Sequence, residues 1–156
     1  MSSLRGDASV TIKQLRETIW ALNQDSLEIP AFVDHLKTYF KSQSALSEEL
    51  QIHYHQEIKE PLTLSSAQAL NVFRIIQEAA QNTLKYAGAQ NINISFSRSN
   101  GSISVCIKDD GKFKENGKSL NGGYGVGNMR KRAEELNGSL EIEKENGTEV
   151  KLTFKI

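Results

Sequence analysis

Residues 74–89, RIIQEAAQNTLKYAGA, set an acid, an amide and a base among apolar residues. The apolar positions Leu70, Phe73, Ile76, Ala80 and Leu84 recur at helical spacing. They predict a helix running from Ser65 or Ser66 to about Ala87, with one side packed on a sheet. A serine suits the N-cap, and Gly88 supplies the stop. Glu78, Asn82 and Lys85 stand at i, i+4 and i+7, so at about 3.6 residues per turn they share a narrow stripe on another side. On an arbitrary helix such a stripe faces water. Whether it does so here depends on what the rest of the chain brings to it.

Outward from this helix the periodicity changes. Upstream, LQIHYHQEI alternates through Leu50, Ile52 and Tyr54 and predicts a strand that Pro61 ends. Downstream, NINISFSR and SISVCIKD alternate and meet at Asn100-Gly101, a hairpin signal. Residues 110–127 are rich in Gly, Lys and Asn and read as a long loop, of the kind that carries function. A helix is expected from about Asn128 to Leu136, closed by Asn137-Gly138, and two last strands meet at Asn146-Gly147. Nearer the start, Ala8, Ile12, Leu15, Ile19 and Leu22 alternate in steps of four and three, a seam that suits packing on another helix. Asn23 to Pro30 reads as a linker, and Pro30 suits the first turn of a helix that keeps Phe32, Val33, Leu36, Tyr39 and Phe40 largely on one side. This order predicts an α+β fold, a mixed sheet with helices on one face.

Bulk properties narrow the function. The chain has 156 residues, 19 basic and 19 acidic, with 38% hydrophobic content. That is one domain with a short attachment. Balanced charge gives no reason to expect direct nucleic-acid binding. No apolar run approaches the ~20 residues of a membrane helix, and the start has no apolar signal core. The lone Cys106 cannot form an internal disulfide and fits a reducing cytoplasm. His35, His53 and His55 show no metal-ligand spacing with it. His53 and His55 share a strand face, so a two-ligand metal site is conceivable, but sheet histidines are the simpler reading.

Three further features bear on the polar stripe. Asp109 ends an alternating strand just before Gly111, and a carboxylate there is a good acceptor for an exocyclic amine while glycine lets backbone approach a planar ring. In GGYGVGNMRKRAEEL, Gly122, Gly123, Gly125 and Gly127 run into a helix, where freed amides bind phosphate. The spacing departs from the dinucleotide pattern, and no strand directly precedes it. Thr148 follows Gly147 at the start of the last strand.

Together and in order, these pieces resemble the ATP-binding domain of bacterial sensor histidine kinases, in the superfamily that includes gyrase, Hsp90 and MutL. RIIQEAAQNTLKYAGA resembles its N-box, DDGK its first glycine box, GGYGVGNMRKRAEELNG its second, and NGTEVKLTF its terminal Thr box. NMRKRAEELNG and QEAAQN resemble the subfamily paired with helix-turn-helix response regulators. The resemblance implies a two-layer α/β sandwich of Bergerat type over residues 25–156. It also implies that residues 1–24 are the second helix of a dimerisation and phosphotransfer hairpin. Asn82 would offer oxygen to Mg2+, Glu78 would act as base or orient the attacking group, and Lys85 would meet phosphate charge. Asp109, with Gly111 beside it, would read the adenine amine. Gly123, Tyr124, Gly125 and Val126 would hold phosphates, Lys112 to Gly122 would form a lid, and Thr148 would support the adenine end. The implied ligands are ATP and Mg2+. The implied partners are a response regulator and, in the full-length protein, a second copy, with any membrane contact made only by upstream regions of a sensor.

Three departures stand out. Phe113 occupies the place of a second glycine in the first glycine box, Tyr86 stands where histidine is frequent, and no histidine of the chain is followed by the acid that marks a phosphoacceptor. The chain is therefore expected to transfer phosphate to a histidine it does not itself carry. The alternative is a regulatory module that keeps the fold without kinase activity. A serine kinase of the anti-sigma-factor type, which shares the fold, fits the N-terminal helix less well.

Overall fold

The computed structural model describes residues 25–43, 50–111 and 124–156, together with 12, 16, 20, 23 and 48. A short strand β1 (Ser26–Glu28) leads into α1 (Ile29–Ser42), with Pro30 in its first turn, where a missing N–H leaves no helical bond unmade. Strands β2 (Gln51–Gln56) and β3 (Thr63–Ser65) follow. Helix α2 (Ser66–Asn82) opens on a reciprocal cap: the Ser65 hydroxyl accepts from the Gln68 amide, and the Ser65 amide donates to the Gln68 side chain. Then come β4 (Asn91–Ser99), β5 (Ser102–Asp109), α3 (Tyr124–Glu135), β6 (Ser139–Glu143) and β7 (Glu149–Lys155).

Five strands form one mixed sheet in the order β2-β4-β5-β7-β6. β2 runs parallel to β4, and the other pairs are antiparallel. Alternation sorts the side chains: Ile92, Ile94, Phe96, Ile103, Val105, Ile107, Val150, Leu152 and Phe154 are buried under the helices. Histidines and asparagines of β2 and β4 share the other face, where His53 bonds Asn91 and His55 bonds Asn93 at 3.0 Å each. The two-layer α+β fold is as expected from the element order. Both Asn-Gly hairpins form, with Asn100, Gly101, Asn146 and Gly147 all at positive φ.

The elements depart from expectation in three places. The stretch read as a linker holds β1, which pairs antiparallel with β3 and buries Leu27 and Leu64 against each other's strand. Three residues are too few for alternation to register. Helix α2 does not stay α-helical to Ala87, because Thr83–Ala87 widens into a π-helical turn that ends at Gly88 in the left-handed region. Finally, α3 starts at Tyr124, four residues earlier than read, so Gly125, Val126 and Gly127 lie inside its first turn.

Helix α2 is buried on more than one side, through Ala69, Val72, Phe73, Ile75, Ile76, Ala79 and Ala80. It packs on α3 as well as on the sheet, and Arg132 of α3 donates to Asn71. Of the expected N-terminal helix, Ile12, Arg16 and Trp20 are described and helical. Ala8, Leu15, Ile19 and Leu22 lie outside the described residues, as do Gly123, Phe113 and the expected lid, Lys112 to Gly122. The Trp20 ring stacks on His35 with centroids 3.6 Å apart and planes 2° from parallel. No helix among the described residues is long and apolar enough to cross a membrane.

Candidate functional site

Asp109 stands at the end of β5 and is 4% exposed. Its Oδ1 accepts from the Gly111 amide at 3.0 Å and the Thr148 amide at 3.1 Å. Its Oδ2 accepts from the Thr83 hydroxyl at 3.0 Å. The Asp109 backbone amide donates in turn to the Thr148 carbonyl. A carboxylate held this way is satisfied by the protein yet keeps lone-pair capacity on Oδ2. The β5–β7 pairing brings these residues together, and Gly147 permits it. A Cβ at Gly147 would run into the Asp109 carbonyl, and its φ of +109° suits glycine alone.

Asp109 lines a narrow cavity between α2, α3 and the sheet. Ala79, Ile107, Met129, Ile142 and Val150 make its apolar walls; Asn82, Thr83 and Thr148 are its other polar members. The Thr148 hydroxyl is buried and has no hydrogen-bond partner among the described residues. An orphaned buried hydroxyl carries a free-energy cost that a ligand polar atom would remove. Apolar walls, a fixed acceptor and an unmatched hydroxyl suit a flat heteroaromatic ring with a donor on its edge. A wider groove of about 490 Å3 lies between α1 and β2, but it is more open and lacks convergent buried polar atoms.

The structure gathers Asn82, Asp109 and Thr148 around one cavity. Glu78 is half-buried one turn before Asn82, and its carboxylate lies against Gly125 in the first turn of α3. Val126 is buried, and Tyr124 is the first residue of α3. Gly111 is buried and acts through its amide on Asp109. Lys85 is exposed and sits in the π-helical turn, so the regular spacing that set it in line with Glu78 and Asn82 ends at Asn82. Thr83 was not anticipated. Its signal is faint, a hydroxyl one residue after Asn82 that back-bonds to Ala79 as many helix-end threonines do.

Next to this site, Asp110 clasps the start of β4. Its Oδ1 accepts from the Gln90 and Asn91 amides, and its Oδ2 from the Asn91 side chain. Those bonds, the Asn91 side-chain amide first, hold its carboxyl below the ordinary aspartate value.

Comparison with known proteins agrees with this geometry. Residues 67–156 match the family described as histidine kinase-, DNA gyrase B-, and HSP90-like ATPase. The chain belongs to that family. The match takes in α2, the Asp109 strand end, α3 and the Thr148 strand, so the whole cavity lies inside it. Among relatives, sensor histidine kinase DesK of Bacillus subtilis is 33% identical over 102 residues, covering 65% of this chain and 27% of its own. The histidine-protein kinase/phosphatase DegS of Brevibacillus brevis is 26% identical over 143 residues, covering 89% and 36% respectively. The chain thus spans about a quarter to a third of the length of these relatives. In fold, it aligns with the Acinetobacter baumannii histidine kinase AdeS at a TM-score of 0.70 and 15% identity, over 99% of this chain and 82% of that one.

Proposed function

We propose that this chain is the Mg-ATP-binding catalytic unit of a two-component sensor histidine kinase. In this reading residues 25–156 form the catalytic domain, and residues 1–24 belong to a dimerisation hairpin. The observation that carries it is the buried Asp109 acceptor beside the orphaned Thr148 hydroxyl, within a family of ATPases. The adenine amine would donate to Asp109 Oδ2, and the apolar walls would sandwich the ring. The cavity is narrow, so the walls part on binding, and the unbranched Met129 yields most readily.

Asn82 stands where a hard cation would find a side-chain oxygen, and bound Mg2+ would supply charge neutralisation between phosphates. Backbone amides of Tyr124, Gly125 and Val126, in the first turn of α3, would meet phosphate oxygens, as would that of Gly123 before them in the sequence, with Lys85 adding charge from the π-helical turn. The chemistry transfers the γ-phosphoryl group to a histidine on a dimerisation hairpin, none of the histidines of this chain having an acid after it. An imidazole nitrogen attacks phosphorus, the bond to the ADP oxygen breaks, and Glu78 accepts the hydrogen bond or the proton of the other ring N–H. Relay to a response regulator with a helix-turn-helix output, homodimerisation in the full-length protein and attachment to a membrane sensor on its cytoplasmic side complete the reading. Two of its relatives, a sensor histidine kinase and a signal-transduction histidine-protein kinase/phosphatase, support the signalling part of it.

Titration calorimetry with ATP tests it. Binding should need Mg2+ and should be lost in Asn82→Asp and Asp109→Ala. Folded wild-type chain that takes up no heat with Mg-ATP would overturn it. With a supplied phosphoacceptor hairpin, transfer should depend on Glu78, and transfer that survives Glu78→Gln at full rate would remove that residue's role.

A further inference from the structure

We infer that Thr83 is a specificity-determining residue, holding Asp109 Oδ2 as an acceptor so that the site takes a purine with a 6-amino group and refuses one with a 6-oxo group. This rests on the ATP reading above. Thr83 is 4% exposed and opens the π-helical turn directly after Asn82. Its hydroxyl has one proton and two acceptors in reach, the Ala79 carbonyl at 3.1 Å and Asp109 Oδ2 at 3.0 Å. The Ala79 carbonyl already accepts from the Thr83 backbone amide, which it shares with Ala80. Among the described residues, Oδ2 has the Thr83 hydroxyl as its one donor, while Oδ1 takes two backbone amides. The proton therefore does most on Oδ2.

A hydroxyl donating to Oδ2 leaves that oxygen only lone pairs to offer. A 6-amino purine meets them with an N–H. A 6-oxo purine sets its own lone pairs against them, and a buried mismatch of this kind is heavily penalised. Without the Thr83 hydroxyl, Oδ1 keeps its two backbone amides but Oδ2 loses the donor that fixes it, so Oδ2 can give way before a 6-oxo oxygen and the penalty on that base falls. Thr83 acts through Asp109, so its role is positioning.

The test measures binding of ATP and inosine triphosphate, each with Mg2+, to the full chain and its variants. Wild type should favour ATP. Thr83→Val, which keeps the shape and removes the hydroxyl, should lower the ATP-to-inosine preference about 10-fold. Thr83→Ala serves as a second variant should the valine chain fail to fold. Thr83→Ser restores the hydroxyl and should restore the preference, an outcome that a purely packing role would not give. The inference is overturned if Thr83→Val and Thr83→Ala keep the wild-type preference while Asp109→Asn loses it. Wild type that binds both nucleotides equally also overturns it, by removing Asp109 as the base reader. Wild type that binds neither overturns the ATP reading itself.

Discussion

Gly125 has no side chain, and a Cβ there would overlap the Glu78 carboxylate. The obstruction is the far end of a flexible side chain, so Gly125→Ala should leave the fold intact and displace Glu78 instead. Alanine keeps the Gly125 amide assigned to phosphate, so phosphoryl transfer to a supplied hairpin should fall further than nucleotide affinity does, by at least about 10-fold at saturating ATP, since misplacement of a reacting group by about 1 Å is costly. Single-turnover transfer beside calorimetric ATP binding separates the two, and unchanged transfer would refute the assigned proximity. Cys106 gives a second residue-level expectation. Burial, and after it the Glu149 carboxylate that accepts from the thiol at 3.3 Å, push its pKa up to about 11. Near pH 8 the thiol stays protonated, so alkylation by iodoacetamide should be slow in the folded protein and faster in Glu149→Gln. Labelling at the rate of the urea-unfolded chain would contradict this. At this scale the sequence showed the residues whose chemistry is visible in their type: Asn82, Asp109 and Thr148 do line one cavity. It concealed Thr83, whose importance comes from which way a helix end turns.

The elements meet at the ends of β4 and β5, where Asp110 ties the start of one to the end of the other. The bonds exist only in the folded state, so the folded pKa lies below the ordinary value of 3.8. A depressed acid stabilises the fold at every pH above its unfolded pKa, and that contribution drains away as the pH falls through the folded pKa. Urea melts between about pH 5 and pH 2 should therefore show a shallower loss of stability in Asp110→Ala than in wild type. Equal slopes would mean that the clasp does not form in solution. Element reading from sequence worked where chemistry marks an end: the Ser65 cap, the two Asn-Gly turns and the alternation of β4 and β5 all formed as expected. It failed at α3, because glycines argue for loop, while packing of Val126 and Met129 in the core extends the helix back to Tyr124. It failed at β1 and β3, whose pairing is long-range and leaves no local period.

Across the whole molecule, the sheet and its helical layer follow from alternation and amphipathicity, which are legible in the sequence because burial imposes them. The setting of the N-terminal segment does not follow, because a seam of spaced apolar residues does not say which surface it meets. The Trp20–His35 stack supplies that information at one point. Trp20 is half-buried, its ring lies flat on His35 of α1, and His35 in turn meets Phe73 of α2 at 5.7 Å. One aromatic column thus joins Trp20 to α1 and α2. A single ring contact of this kind biases the position of Trp20 without locking it. Because Trp20 is the only tryptophan in the chain, its emission reports the contact directly. His35→Ala should shift that emission to the red and increase acrylamide quenching, and His35→Phe should reverse most of both changes by restoring a flat partner. If Trp20 in wild type already emits and quenches like a fully solvated indole, the N-terminal helix does not rest on α1 in solution.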